Sequence, residues 1–194
     1  RVRVGDLEIK VLPKIEHGPL LNLLRYAYGF RHLRLFSESA QQTEIKGFED
    51  LLVSQLNAEV AELVARGLYR TYVGKQDRLA SPRGRIDMQR IASEGGVLNA
   101  TLPCLHHPRI EDTLLNCALL AGLHLASRAA SDLWLRRDSR RLAALFEEEM
   151  SLIQLTSRVL ERVSHRLTRL TRAYEPAIAI IRLLYEAQGV SFIG

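Results

Sequence analysis

The strongest constraint on how this chain folds is a run of apolar residues at helical spacing between Phe48 and Val64. Phe48, Leu52, Leu56, Val60, Leu63 and Val64 recur at intervals that put them on one face of an α-helix. Glu49 and Asp50 stand in the first turn, Arg66 in the last and Gly67 just beyond, as the helix dipole and a glycine cap require. From Asp112 onward the pattern is helical again. Asp112 or Thr113 can cap a helix carrying Leu115, Ala118, Leu119, Gly122, Leu123 and Ala126. A second helix is predicted over about 138–150 and a third over Ser157 to Tyr174. A last one runs to Ala187, with Gly189 ending it, and Pro176 either kinks the third helix or opens the last.

The first part of the chain reads differently. Val2 to Val4 and Leu7 to Leu12 alternate apolar and polar around Gly5-Asp6, a hairpin signature closed by Pro13. Pro19 starts a short helix that Gly29 closes, and residues 37–46 form a polar loop. Leu68 to Val73 is aromatic and β-branched, hence strand-like. Ser81 to Arg85 is a basic turn, and Ile86 to Ala92 fits either type of element. The expected fold is α+β, a small N-terminal β-containing part followed by a mainly helical bundle. The division falls at about 1–100, with the helix at 48–66, and 101–194, within one continuous body of a larger protein.

With 194 residues and 47% of them hydrophobic, the chain can build one good-sized core or two small ones. A charged fraction of 25% does not indicate disorder, and no apolar run approaches a membrane span. No signal peptide is visible, and a start at Arg1 within a strand-like segment suggests a fragment. Two cysteines, Cys104 and Cys117, make no disulfide framework, so a cytoplasmic location is expected. The net charge of +5 permits an acidic partner. Only four of the 27 basic residues are lysine. That bias suits phosphate or carboxylate binding, and a GC-rich genome also produces it.

Catalytic patterns are weak. Metal-dependent DNA cleavage needs an Asp and a Glu-x-Lys on neighbouring strands to hold Mg²⁺ and activate water. Glu8-Ile9-Lys10 and Glu44-Ile45-Lys46 match the tripeptide, but neither has a plausible metal-sharing Asp. Cys104, His106, His107 and Cys117 have no standard zinc spacing and read as a proline-bounded loop with a buried Cys. Gly74-Lys75 is not a nucleotide-binding loop, and no serine-nucleophile elbow occurs. No catalytic or metal-ligating residue is assigned to this chain.

Two basic features stand out instead. Arg158, Arg162, Arg166, Arg169 and Arg172, on one helix, fall within about 120° of a single face. Val159, Val163, Leu167, Leu170 and Tyr174 would then pack inward. Only Glu161 is acidic among them, although Glu147-Glu148-Glu149 can fold against the stripe. The stripe is either a solvated face or a binding surface for phosphates or an acidic partner. In Arg83-Gly84-Arg85, glycine lets the backbone approach a partner, and two guanidiniums can grip carboxylate or phosphate. The same turn can equally tie Asp87 or Glu111 across the fold.

Two segments resemble the McrC family, partner of the GTP-hydrolysing AAA+ protein McrB. Pro82-Arg83-Gly84-Arg85-Ile86-Asp87 is similar to an Arg-Gly-Arg-Ile segment of that family. Glu111-Asp112-Thr113-Leu114-Leu115-Asn116 is similar to its Asp-Thr-x-x-Asn helix start. Leu12-Pro13-Lys14-Ile15 and Ala173-Tyr174-Glu175 fit in order, so the resemblance runs over nearly all of the chain. It implies a scaffold and partner-binding region linking an McrB-like GTPase ring to a nuclease domain, in a restriction system for 5-methylcytosine DNA. It also implies that the region reaching into the McrB ring precedes Arg1 and that the nuclease domain follows Gly194, while this chain contributes scaffold and partner contact and reaches DNA through the complex. Mg²⁺ and GTP would then belong to the full complex, with no cofactor held here and no membrane involved.

Overall fold

The long amphipathic run folds where its periodicity predicts, as helix α1, Phe48–Arg66. Gly67 caps it at φ +89°, its N–H donating to the Val64 carbonyl at 3.1 Å. Leu52, Leu56, Val60 and Leu63 are buried, while Phe48 sits at the rim. The structure is a computed structural model describing residues 2–4, 7–9, 47–97 and 99–191. The helix at 19–29, the loop at 37–46, the second strand beyond Ile9, and Lys10 and Glu44 to Lys46 lie outside the described residues.

The strands are short and antiparallel. β1 (Val2–Val4) pairs β2 (Leu7–Ile9) as the alternation predicts, with Val2 opposite Ile9. The aromatic stretch after α1 is strand only at β3 (Thr71–Tyr72), which pairs β7 (Arg109–Ile110). A three-stranded sheet has β6 (Leu102–His106) between β4 (Lys75–Leu79) and β5 (Arg85–Ile86). The Ile86 to Ala92 stretch, fitting either element by sequence, divides. Ile86 ends β5, Asp87 accepts a hydrogen bond from the Arg90 N–H at 3.0 Å, and helix α2 spans Met88–Ser93.

The helical part is built around α3, Leu114–Ala129, capped by Thr113 rather than Asp112. It packs against α1, against α4 (Leu133–Ala144) and against α6 (Glu175–Ser191). Leu119, Leu120, Leu123, Phe146, Ile180 and Ile181 are fully buried there. Fully burying one such side chain contributes about 1.5–3 kcal/mol. Helix α4 starts well before the predicted Asp138, because Asp132 caps it by accepting from the Trp134 and Leu135 N–H groups. It ends at Ala144, and residues 145–149 turn where the sequence predicted helix to Met150.

The predicted third helix is broken. α5 covers only Ser157–Ser164, and a 3₁₀ turn at Arg172–Tyr174 leads into α6. The Thr171 hydroxyl accepts from the Thr168 N–H at 2.8 Å and donates to the Arg166 carbonyl at 3.0 Å. These local bonds compete with the helical ladder and replace it. Pro176 lies in the first turn of α6, where its missing N–H costs nothing, and the helix continues through Gly189. No helix among the described residues is long and apolar enough to cross a membrane.

Buried polar groups fix the angle of α4 on α1. The Asp50 carboxylate accepts the Ser131 N–H at 2.7 Å, the Asp132 N–H at 3.3 Å and the Ser131 hydroxyl. Seven residues further along α1, the Asn57 amide donates to the Leu135 carbonyl and accepts from the Ser139 hydroxyl.

The α3–α6 contact depends on Gly122. A Cβ there would come within 2.4 Å of Ile181 Cδ1 and 2.5 Å of its Cγ1. Gly122→Ala is expected to destabilise the fold by about 1–3 kcal/mol through overpacking. Adding Ile181→Val should recover part of that loss, measured by denaturant unfolding of both single variants and the double variant. Strictly additive losses would mean that the helices do not meet at this point.

Candidate functional site

The basic turn between β4 and β5 is held from beneath by its glycine. Gly84 has φ +73°, and a Cβ on it would lie 2.3 Å from the Leu105 carbonyl oxygen and 2.9 Å from His106 Cα. Only glycine permits both the conformation and the approach. A glycine here is expected from sequence to admit a partner, but the backbone it lets in is the chain's own strand β6. Arg85 sits opposite Leu105, beside an open hollow of about 370 Å³ that Gln76, Asp87 and Met88 also line.

The local carboxylates are already engaged. Glu111 pairs with Arg70, Glu94 with Arg78 and Arg90, and Asp77 lies 2.8 Å from His106 Nε2. Asp87 caps α2. The turn therefore does not tie Asp87 or Glu111 through its arginines. Arg83 and Arg85 are exposed and carry no side-chain partner among the described residues. Exposed five-donor forks of this kind suit a carboxylate or phosphate from outside.

The five-arginine stripe does not survive the break at Ser164. Arg158 and Arg162 share one face of α5, Arg166 and Arg169 lie in the turns that follow, and Arg172 lies in the 3₁₀ turn, 3.8 Å from Glu175. All five are exposed. Val163 and Tyr174 are buried as predicted, but Leu167 is only half-buried and Leu170 is 85% exposed, so the inward face is interrupted where the helix breaks. Glu147 does not cover the arginines; it lies 3.5 Å from His124 Nε2.

The cysteines and histidines do not converge. Cys104 and His106 lie on β6, a strand where the sequence suggested a loop. His107 stands beside Gly74, and Cys117 belongs to α3. Among the described residues no group of three or more His, Cys, Asp or Glu is placed to hold a metal ion.

What the sequence did not disclose is that Asn116 and Tyr174 meet. The fully buried Asn116 amide donates to the Tyr69 carbonyl at 2.9 Å and to the Glu111 carbonyl at 2.7 Å. Its oxygen accepts from the Tyr174 hydroxyl at 2.8 Å, and that hydroxyl in turn accepts the Tyr69 N–H at 2.7 Å. Beside it, Asp112 accepts from the Ser151 N–H and hydroxyl and from the Cys117 thiol. The Ser151 N–H, with help from the thiol and the hydroxyl, holds the Asp112 carboxyl below the usual carboxylate range. Burial, reinforced by Asp112, pushes the Cys117 thiol up to about 12. Burial and the Glu111 charge also raise Tyr174, against the Tyr69 N–H, which lowers it. The only advance signal was that Asn116 and Tyr174 both stood in segments carrying the family resemblance.

A family model described as McrBC 5-methylcytosine restriction system component matches residues 2–193. No curated protein matches this chain. Among solved structures, a chain of the Thermococcus gammatolerans McrBC complex is similar over 84% of this chain and 49% of its own length, with 23% identity and a TM-score of 0.71. A chain from a half-complex of a tetradecameric assembly, T. gammatolerans McrB AAA+ hexamers with bound McrC, is similar over 85% of this chain and 40% of its own length. There the identity is 24% and the TM-score 0.68. At these identities the likeness is one of fold, and this chain spans half or less of the chains it matches.

The raised groups beside Asn116 set an alkaline limit. Cys117 and Tyr174 hold their protons more tightly folded than unfolded, so their contribution is complete below the unfolded values. It is lost as pH rises through the folded ones. Unfolding free energy should fall from about pH 9, the thiol's ordinary value, towards pH 12. Denaturant titrations across that range should show a smaller fall in Cys117→Ala. An equal fall in parent and variant would remove the thiol from the account.

Proposed function

The chain belongs to the McrBC 5-methylcytosine restriction system component family, and we propose that it is the body of an McrC-type subunit, linking an McrB-like GTPase ring to a nuclease domain. The observation that carries this reading is the division of labour between the two family-like segments. Asp112, Thr113 and Asn116 are taken up in internal hydrogen bonds, whereas Arg83 and Arg85 of the other segment face outward. Groups satisfied in this way serve a frame, and guanidiniums left open serve a contact.

In this reading Arg83 and Arg85 meet acidic groups of the GTPase. GTP and Mg²⁺ act elsewhere in the assembly, and DNA is reached through the complex. Arg158, Arg162, Arg166, Arg169 and Arg172 are a second, bent basic surface, open to phosphates or to acidic side chains of the same assembly.

The test is capture of an McrB-like GTPase from the same source, by co-purification and by titration. Replacing Arg83 and Arg85 together by Ala should weaken association roughly tenfold or more, since charge-assisted bonds contribute about 1.5–3 kcal/mol each. Thermal stability should stay nearly unchanged, because both side chains are exposed. Parent-like capture by the double variant would dismiss the turn as the contact. No capture by the parent itself would dismiss the McrC-type reading.

A further inference from the structure

Among the described residues, helix α4 presents an outer face that neither the bundle packing nor the proposed GTPase contact uses. Its inner side is fixed by Asn57 and Ser139, and Asp50 holds the Ser131-Asp132 entry. On the outer side stands Trp134, the chain's only tryptophan, 73% exposed and flanked by Leu133 at 61%. An indole removes more apolar surface from water than almost any side chain, so leaving it outside a core points to use at a surface.

Arginines surround it. The Arg137 guanidinium carbon lies 5.8 Å from the Trp134 ring centroid, within cation–π reach. At 100° per residue, Trp134, Arg137 and Arg141 fall within about 60° of one another on the helix. Arg140 stands beside them and is exposed. Asp138 is the one carboxylate on this face, and Arg141 takes it at 2.8 Å. Arg137 and Arg140 therefore carry no carboxylate partner among the described residues.

We infer that this face binds a single-stranded nucleic-acid segment, one base stacking on Trp134 while Arg137 and Arg140 hold adjoining phosphates. The charge complementarity is direct: two open guanidiniums stand three and six residues along the helix from an exposed π surface, within about two turns of it. Aromatic stacking with flanking cations is how unpaired strands are gripped without sequence readout. An apolar protein partner would meet the Arg137 guanidinium against the indole and Arg140 and Arg141 further along the helix, and a duplex would offer no free base to stack. The α4 entry is clamped to α1 through Asp50, so the platform exists before the strand arrives. This inference does not rest on the reading of Arg83 and Arg85.

The single tryptophan makes the site its own reporter. Titrating the protein with an unlabelled thymidine oligonucleotide at low salt should quench intrinsic fluorescence. The affinity should fall as salt rises, with a log–log slope of about 0.7 per phosphate held. Arg137→Gln with Arg140→Gln should weaken binding and lower that slope by about 1.4. Trp134→Leu, followed by anisotropy of a labelled oligonucleotide, should weaken it about fivefold or more. Lys75→Gln with Arg109→Gln, exposed cations of the β-strands, should leave both readouts unchanged. Three results would overturn the proposal: full-strength binding by the Trp134 variant, duplex binding as tight as the single strand, or equal quenching by a poly-glutamate peptide that competes with the oligonucleotide.

Discussion

The Asn116 side-chain amide is the joint on which the arrangement of sheet and helices depends. Both its N–H groups and its oxygen are engaged, reaching the carbonyls of Tyr69 and Glu111 and the hydroxyl of Tyr174. Three segments far apart in sequence thus meet at one buried group near the start of α3. An amide buried without partners costs about 1–3 kcal/mol, so each bond holds the others in register. Tyr69 leads into β3, and Glu111 follows β7. With β3 paired to β7 and the Val73 N–H donating to Pro108, this two-stranded ladder is suspended from this point, and β4 and β6 continue from it. Asp112 brings in the segment at Ser151 alongside.

The two basic features of the chain differ because of this frame. The Arg83–Arg85 turn is stiff, pressed through Gly84 onto the end of strand β6, from which the chain runs through β7 to the joint. Its exposed charges sit on a fixed base, the condition under which guanidiniums lose least freedom on binding. The arginines from Arg158 to Arg172 follow the chain round a bend held by Thr168 and Thr171, so they line no single helix face.

Much of this was legible where structure is local. The periodicity of α1, its acidic first turn and its glycine cap, and the Thr113 cap of α3 follow from neighbouring residues alone. What escaped depended on distant partners. Asp50 reads as a dipole-favouring acid, yet its carboxylate is the acceptor for Ser131, 81 residues away. The start of α4 was missed because Leu133 and Trp134 are apolar residues turned outward, which blurs the amphipathic signal that would mark the helix. The break after Ser164 was missed for the opposite reason: arginine and valine spacing suited a longer helix, while two threonine hydroxyls favoured a turn. A strand at Leu102–His106 went unread because Pro103 argues against a central strand; here it lies opposite Arg78 near the sheet end, and its carbonyl still takes the Asp87 N–H at 2.8 Å.

The account stands or falls on whether the joint at Asn116 holds the sheet to the bundle. Hydrogen–deuterium exchange of Asn116→Ala against the parent measures this directly, segment by segment. Loss of protection is predicted at Tyr69 to Val73 and Arg109 to Thr113, spreading to the Arg83–Asp87 turn, with α1 and the middle of α6 still protected. Exchange that rises equally throughout, or that leaves Tyr69 to Val73 as protected as in the parent, would contradict it.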